Sequence, residues 1–557
     1  MPTLGMQFTD TVSIAWSERV PSSSMLRDAL GLWSHHIFLD AEHTSGITSV
    51  TRRARYYTIW AYYYQHLFKD NFDPYDFEKI FILASLAHNN GDHNSPNLRH
   101  MYNNQKFAGT WDGIKTFDLN FDIIGFGRTY YNRQMEVFRC AWADELDLIH
   151  ISPINKKLAG TLSFLDPDDF KRTEFQKEDL REYFDGFGID QISQNSEEQE
   201  ILSKLFFGFF SEKRGSWDID DEEFEAYMQG NGDLDFIDRL AEVPSPEYYT
   251  IRQQNLRRRN TLLLFLKIIA ETSPPIGEMQ RYLWDAVYFN QNHDTKDEIS
   301  FGRLDHIRHC WEQHQLRVYY VFALEKFLEH IHLIVIENPG IPKSCLIDSQ
   351  SAQGIFTYIG DWLQVPVDEK TTLAEIIEKT GKHNGAGVKS SLHSPINEAD
   401  LYNSLWTQEH EELLADFILM LALLFRRYNQ TTSHNSNLSN YEDSNPDLLN
   451  IEALFAHIEA KGADLHIIPF LSHISRLIVN RHLLESASRF AYGTKNWLFT
   501  EEEDRLYPTR EPVHMSPRDN RWQSIRTLLQ DLEFIEQTDE GNLIVTKKGL
   551  EWLEKVQ

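Results

Sequence analysis

A chain of 557 residues exceeds what one hydrophobic core organises, so roughly two to four domains are expected. Its 41% hydrophobic, 13% aromatic and 25% charged residues give ample material to bury, which excludes wholesale disorder and collagen-like or low-complexity architectures. The 84 acidic side chains outnumber the 54 basic ones and leave a net charge of −30, so any contact with nucleic acid has to be local, where a basic surface overrides that field.

The N-terminal stretch Met1 to Trp16 has no basic region followed by an apolar block, with Asp10 and Glu18 close by, and no secretory signal is expected. From Met25 to Phe68 the pattern becomes strongly aromatic. Arg52, Arg53, Tyr56, Tyr57, Trp60, Tyr63, Tyr64 and Leu67 recur at helical spacing, which predicts an amphipathic helix. Thr48 or Ser49 is its expected N-cap, and Asn71 to Pro74 its stop. A second helix, Tyr75 to His88, places Phe77, Ile80, Phe81, Leu83, Ala84 and Leu86 for burial against the first.

Asn89 to Arg99, rich in Asn, Gly, Asp, Ser and Pro, reads as a loop. Helical patterning returns near Asn132 to Leu148. Leu158 to Asp169 reads as a turn-rich connection, followed by helices at Lys177 to Phe184, Glu197 to Phe210 and Asp221 to Met228. The acidic run Asp218 to Glu225 suits a solvated helix start. Two long periodic segments, Tyr248 to Glu271 and Leu304 to Glu337, read as core helices. The apolar run Leu413 to Phe425 is broken by Asp416 and followed by Arg426 and Arg427. It falls short of the ~20 residues of a spanning helix, so a buried helix is expected and no membrane partner.

Residues 431–446 are almost all Thr, Ser, Asn, Asp and His, the best linker in the chain. Beyond it the pattern predicts an amphipathic helix over Arg521 to Leu532, a first strand at Phe534 and Ile535, a turn at Asp539 to Asn542, a second strand at Leu543 to Thr546 and a closing helix from Leu550. The expected division is an N-terminal helical domain with the aromatic-basic helix (1–150), a central helical domain (151–430), the linker (431–446) and a C-terminal domain (447–557).

Candidate chemistry is sparse. His88, Asp92, His93 and His100 are residue types that bind a divalent metal and activate its water. The opposing reading is a capped surface loop, because the order is Asp92-His93 in a segment containing Pro and Gly. His306, His309, Cys310 and His314 have ligand-like helical separations, yet a fourth ligand is not evident. Gly381 to Ser391 can cradle a phosphate with backbone N–H groups, but Val388 separates Gly387 from Lys389 and no Walker A element results. No nucleophile elbow, kinase or dinucleotide fingerprint is complete. No cofactor or metal is expected, and the enzyme question leans towards no. The three cysteines, Cys140, Cys310 and Cys345, fit a reducing cytoplasm.

Basic residues cluster at Arg52, Arg53 and Arg55 and at Arg252, Arg257, Arg258 and Arg259. Interleaved with Tyr56, Tyr57 and Trp60, the first group can pair with phosphate and stack on bases. Alternatively, the aromatics are core and the arginines bridge buried carboxylates. Arg518, Arg521 and Arg526 on or before the last amphipathic helix, with Lys547 and Lys548 beside the hairpin, form a second candidate DNA contact. Glu533, Glu536, Asp539 and Glu540 surround them and equally suit neutralisation and protein contact.

The C-terminal order, with Leu532-Glu533-Phe534-Ile535 leading to Thr546-Lys547-Lys548-Gly549-Leu550, resembles the winged-helix modules of prokaryotic regulators. The run Gly46-Ile47-Thr48-Ser49-Val50-Thr51-Arg52-Arg53-Ala54-Arg55-Tyr56-Tyr57, then Trp60, Trp311, Tyr319 and Ala323-Leu324-Glu325, looks like a large, poorly characterised bacterial and archaeal family encoded in defence islands. That likeness spans residues 25 to 430 and supplies no catalytic residues. The expectation is therefore a mainly α, multi-domain helical protein with a C-terminal winged-helix-like α+β module. Its implied role is a non-catalytic scaffold or adaptor of an anti-phage defence or DNA-processing system. Other protein subunits of that system are the expected partners, with double-stranded DNA as a further candidate. The alternatives are a metal-dependent nuclease or other hydrolase, and a transcriptional regulator with a large sensor portion.

Overall fold

The computed structural model describes residues 28–32, 43–47, 53–95, 98, 104–123, 135, 141–143, 149–151, 153–189, 192, 196–207, 246–347, 352–385, 389–408, 410–431, 449–490, 497–515 and 521–554. Over these residues the protein is mainly helical. In chain order the helices are α1 (Arg55–Tyr62), α2 (Pro74–His88), α3 (Pro153–Gly160), α4 (Lys177–Tyr183), α5 (Ser196–Phe206), α6 (Pro246–Thr272), α7 (Met279–Phe289) and α8 (Asp305–Glu337). They continue as α9 (Ala352–Leu363), α10 (Leu373–His383), α11 (Glu398–Thr407), α12 (His410–Thr431), α13 (Ile451–Lys461), α14 (Ile467–Phe490), α15 (Trp522–Asp531) and α16 (Lys547–Glu554). The short strands are β1 (Thr116–Asp118), β2 (Ala141–Ala143), β3 (Ile149–Ile151), β4 (Glu174–Gln176), β5 (Ile341–Pro342), β6 (Phe499–Glu502), β7 (Arg505–Pro508), β8 (Ile535–Gln537) and β9 (Leu543–Val545).

The chain divides into two compact units, each assembled from two separated stretches. One comprises His36–Gln315 and Asp519–Gln557, the other Met1–His35 and Leu316–Arg518. The sequence placed its boundaries instead at residue 150 and at the linker 431–446, which lies outside the described residues from 432 on.

In the His36 unit every residue of α1 is buried, because tyrosines and Trp60 surround it on all sides rather than forming one stripe. The helix widens into a π-turn over Tyr63–Leu67 and ends at Asn71, whose φ of 54° is tolerated by Asn in the left-handed region. Pro74 opens α2 where a missing N–H costs nothing, and the Asp73 carboxylate accepts the Tyr75 N–H at 2.7 Å. Rings join the two helices as the apolar pattern predicts: Tyr56 meets Phe81 at 5.2 Å and Trp60 meets Phe77 at 5.8 Å between centroids. Phe170 and Phe187 extend this cluster.

The expected N-caps Thr48 and Ser49 and the helix Asp221 to Met228 lie outside the described residues. Within 132–148 the described residues are Met135, which is helical, and strand β2; the strand pairs antiparallel with β3, Trp142 opposite His150. Strands β1 and β4 form a second two-stranded ribbon, Phe117 opposite Phe175.

The C-terminal stretch folds as helix, strand, strand, helix, the order read from the sequence. Strands β8 and β9 pair with Ile535 opposite Val545. The hairpin is bonded to the turn after α6: Leu543 N–H donates to the Pro274 carbonyl at 2.9 Å and Ile276 N–H to Gly541 at 3.0 Å. Helix α16 begins at Lys547, before the expected Leu550, and Gly549 sits so close to the Phe534 carbonyl that no Cβ fits there. Trp522 of α15 lies against Trp311 at 4.4 Å, and Trp311 donates its indole N–H to Thr261 at 3.0 Å. This stretch is thereby part of the His36 unit's core.

In the Leu316 unit, α12 packs against α9, α10 and α11. Leu413 to Leu424 are buried, as the apolar run predicts. Strands β5, β7 and β6 form an antiparallel sheet in that order.

The most consequential link is between Arg53 and Asp531. Arg53 Nε donates to Asp531 Oδ2 at 2.9 Å, and the same oxygen accepts the Ala54 N–H at the start of α1. Truncating Asp531 to alanine strands a buried guanidinium, and a loss of about 3–5 kcal/mol is expected in urea unfolding. The double variant Arg53→Met with Asp531→Leu should recover most of it. Equal stability of Asp531→Ala and wild type would show that the pair holds nothing in place.

Candidate functional site

The arginines marked for phosphate are built into the frame. Arg53 is 6% exposed, and its second bond runs to the Ile189 carbonyl at 3.2 Å. Arg55 is fully buried and pairs with Glu198. Arg258 donates to the carbonyls of Phe206, Ser45 and Leu205 at 2.8, 2.9 and 3.2 Å. Of the two readings of the aromatic-basic stripe, bridging arginines in a core is the arrangement observed for Arg53 and Arg55. Arg52 lies outside the described residues.

Among the C-terminal candidates, Arg521 is 8% exposed and donates to Thr44 Oγ1 and the Ile47 carbonyl at 2.8 and 2.7 Å. Arg526 is 6% exposed. Lys548 Nζ donates to the Leu532 carbonyl at 2.8 Å and lies over the Phe534 ring. Burial lowers its pKa, opposed by Glu533 and Glu200. Lys547 is exposed and loosely paired with Glu551 at 3.9 Å. Arg518 lies outside the described residues. The contact expected of these cations thus has Lys547 as its exposed member here, while Arg53, Arg521 and Arg526 are buried.

The two histidine groups are dispersed. His88 Nε2 sits 3.1 Å from the Phe184 carbonyl, Asp92 accepts the Asn94 N–H at 3.0 Å in a local turn, and His100 lies outside the described residues. His309 lies between Asp305 and Glu312 at 3.2 and 3.0 Å, His306 is exposed, and buried Cys310 has its pKa raised by desolvation. Among the described residues, no three His, Cys, Asp or Glu side chains converge on a common point. Gly381, read as part of a phosphate loop, lies inside α10, where the Arg426 guanidinium occupies the space a Cβ would need. Residues 386–388 of that segment lie outside the described residues.

What sequence reasoning did not single out is a cavity of about 680 Å³ in the Leu316 unit. Its lining comes from the end of α8 (His330, Ile334, Glu337, Asn338), the turn from Ile341 through Ser344 and Cys345 to Leu346 and Ile347, and the first turn of α12 (His410, Glu411, Leu414). Cavities of this size hold small organic molecules. His330 is 5% exposed, has its ring 6.0 Å from that of His410, and makes no hydrogen bond with a described residue. Burial first, then the neighbouring His410, pushes its pKa down to about 4, with Glu411 opposing. The imidazole is therefore neutral at pH 7, able to donate and accept once each.

Two further histidines behave alike. His482 donates from Nδ1 to the Ala29 carbonyl at 3.0 Å and accepts the Leu498 N–H at Nε2 at 3.1 Å. That double role fixes its tautomer and ties α14 to both segments. Burial lowers its pKa to about 4, and likewise that of His332, where His482 adds to the effect. Asp416, buried in α12 with a hydrogen bond from Ser404, shifts the other way: burial lifts its carboxyl to about 7, the Ser404 bond opposing and Glu412 adding.

No family model matches the chain, and no match is found among curated proteins or solved structures.

These shifts set a pH profile. A histidine with a folded pKa near 4 and an unfolded pKa near 6.5 withholds a proton that the unfolded chain takes up, so stability falls as pH drops from about 6.5 towards 4. Asp416 acts in reverse, since the unfolded chain ionises first as pH rises from 3.8 towards 7, and stability falls over that window. Asp416→Asn should therefore stabilise the unit by roughly 2–4 kcal/mol at pH 8 and by almost nothing at pH 4. Chemical unfolding at both pH values checks this. A pH-independent effect would mean that Asp416 is ionised in the folded state.

Proposed function

We propose that the protein is a helical scaffold or adaptor subunit of a prokaryotic anti-phage defence or DNA-processing system, acting by contact with other protein subunits. The observation that supports this reading is the use made of its charged residues. Arg53, Arg55, Arg258, Arg427 and Arg521 spend their donors on internal carboxylates and carbonyls, which fixes long helices in one arrangement. The chain as a whole carries a net charge of −30, a field complementary to a basic partner and repulsive to polyphosphate.

The C-terminal helix, hairpin and helix fit the winged-helix-like module only in element order. A recognition helix must offer a face to a groove, whereas Trp522, Ser524, Ile525, Arg526, Thr527, Leu528 and Leu529 of α15 are all buried. This favours protein contact over groove insertion. The regulator alternative draws its support from the cavity in the Leu316 unit, a fitting receptor for a small effector.

Mixing the purified chain with the products of adjacent genes tests the adaptor reading. A stoichiometric complex by light scattering, dissociating as salt rises, is expected; intrinsic hydrolysis of nucleotide or nucleic acid by the chain alone would replace it with the hydrolase alternative.

The DNA component is tested by titrating a fluorescent duplex at two salt concentrations with wild type and Lys547→Glu. Cutting the chain near Pro446 is unsuitable, because it removes 519–557 from the His36 unit. Binding is expected to be weak and unchanged by the substitution. Salt-sensitive binding abolished by Lys547→Glu would place DNA on the C-terminal hairpin.

A further inference from the structure

We propose that the cavity bounded by α8, the Ile341–Ile347 turn and the start of α12 is a binding site for a small organic cation, an amine or guanidinium carried on an aliphatic body. The proposal is independent of the adaptor reading. Two carboxylates, Glu337 and Glu411, line the cavity, and neither is in an ion pair with a described residue. The cation nearest in sequence, Lys343, is engaged elsewhere, with Nζ 2.7 Å from Glu501 and 3.6 Å from Asp504. No lysine or arginine is among the lining residues. A second observation points to a ligand: His330, nineteen-twentieths buried by its exposure of 5%, lines the cavity without a hydrogen bond. A buried imidazole left so forfeits the free energy of its lost hydration unless a guest or water supplies a partner.

The lining sorts ligands by chemistry. An anion would face Glu337 and Glu411, with Glu412 following in the first turn of α12. A dissociating amine or guanidinium instead gains charge-assisted hydrogen bonds to carboxylate oxygens, and its carbon chain finds Ile334, Ile341, Leu346, Ile347 and Leu414. Asn338, Ser344 and the neutral His330 add polar contacts that fix orientation. Metal ions are poorer guests, since no three ligating side chains converge among the described residues.

The test uses the full chain at physiological ionic strength, with agmatine as the probe and butyrate as an anion of comparable chain length. Calorimetry should show one agmatine per chain and thermal melting an upward shift, with butyrate giving neither. Glu337→Gln and Glu411→Gln should each weaken agmatine binding about ten-fold with the ligand-free melting temperature unchanged, because both side chains are solvent-accessible. Ser344→Trp, which fills the cavity from an exposed position, should abolish binding. Three results would overturn the proposal: no heat or melting shift at millimolar agmatine, equal binding of butyrate, or wild-type binding by all three variants. The last would mark agmatine as a counter-ion of the acidic surface.

Discussion

Asp531 and Arg53 are separated by 478 positions, and the arrangement of the His36 unit depends on their meeting. The carboxylate neutralises the guanidinium and also receives the Ala54 N–H, so one acidic oxygen anchors the side chain and the first turn of α1. Neither group can be buried alone. Desolvation raises the Asp531 pKa while Arg53 and the Ala54 N–H pull it down, and the residual cost makes the pair a device for uniqueness more than for net stability. A misplaced C-terminal stretch would leave two charges without partners.

The same device recurs. Arg55 meets Glu198, and in the Leu316 unit Arg427 Nε meets Glu398 at 3.1 Å while its other arm reaches the Ser390 carbonyl at 2.7 Å. A chain with a 30-charge acidic excess has few arginines to spare. Each such pair takes one cation and one anion inside together, so it leaves the acidic excess of the chain as it was. That excess bears on partner choice through long-range steering.

Local patterns were legible in the sequence where local physics decides. Asp73 and Pro74 mark the start of α2 before its apolar face begins. The run from Leu413 buries as a helix, and Asp539 to Asn542 turns between two strands. The sequence misleads where a distant partner decides. Ala141-Trp142-Ala143 sits in a stretch with helical spacing, yet its backbone bonds go to Ile149–Ile151. Arg53 offers the same residue type to phosphate or to a carboxylate, and nothing near it in sequence announces Asp531. Likewise, the apparent module at the C-terminus is legible as elements, but its attachment to Pro274 and Ile276 comes from tertiary contact alone.

The cavity was hidden for a further reason. Its polar lining is dispersed over three segments, and His330 lies in a helix whose neighbours Phe327, Leu328 and Ile331 are fully buried, so the periodicity reads it as core. That reading is half right: the ring is buried, but on the cavity side. Burial holds His330, His332 and His482 neutral near pH 7, while the Asp416 carboxyl, lifted to about 7, is half-titrated there. Burial favours the uncharged form of each of these groups. Charge in the cavity is left to Glu337 and Glu411, a division that suits a guest whose cationic groups meet these carboxylates while the carbon chain lies along the apolar lining.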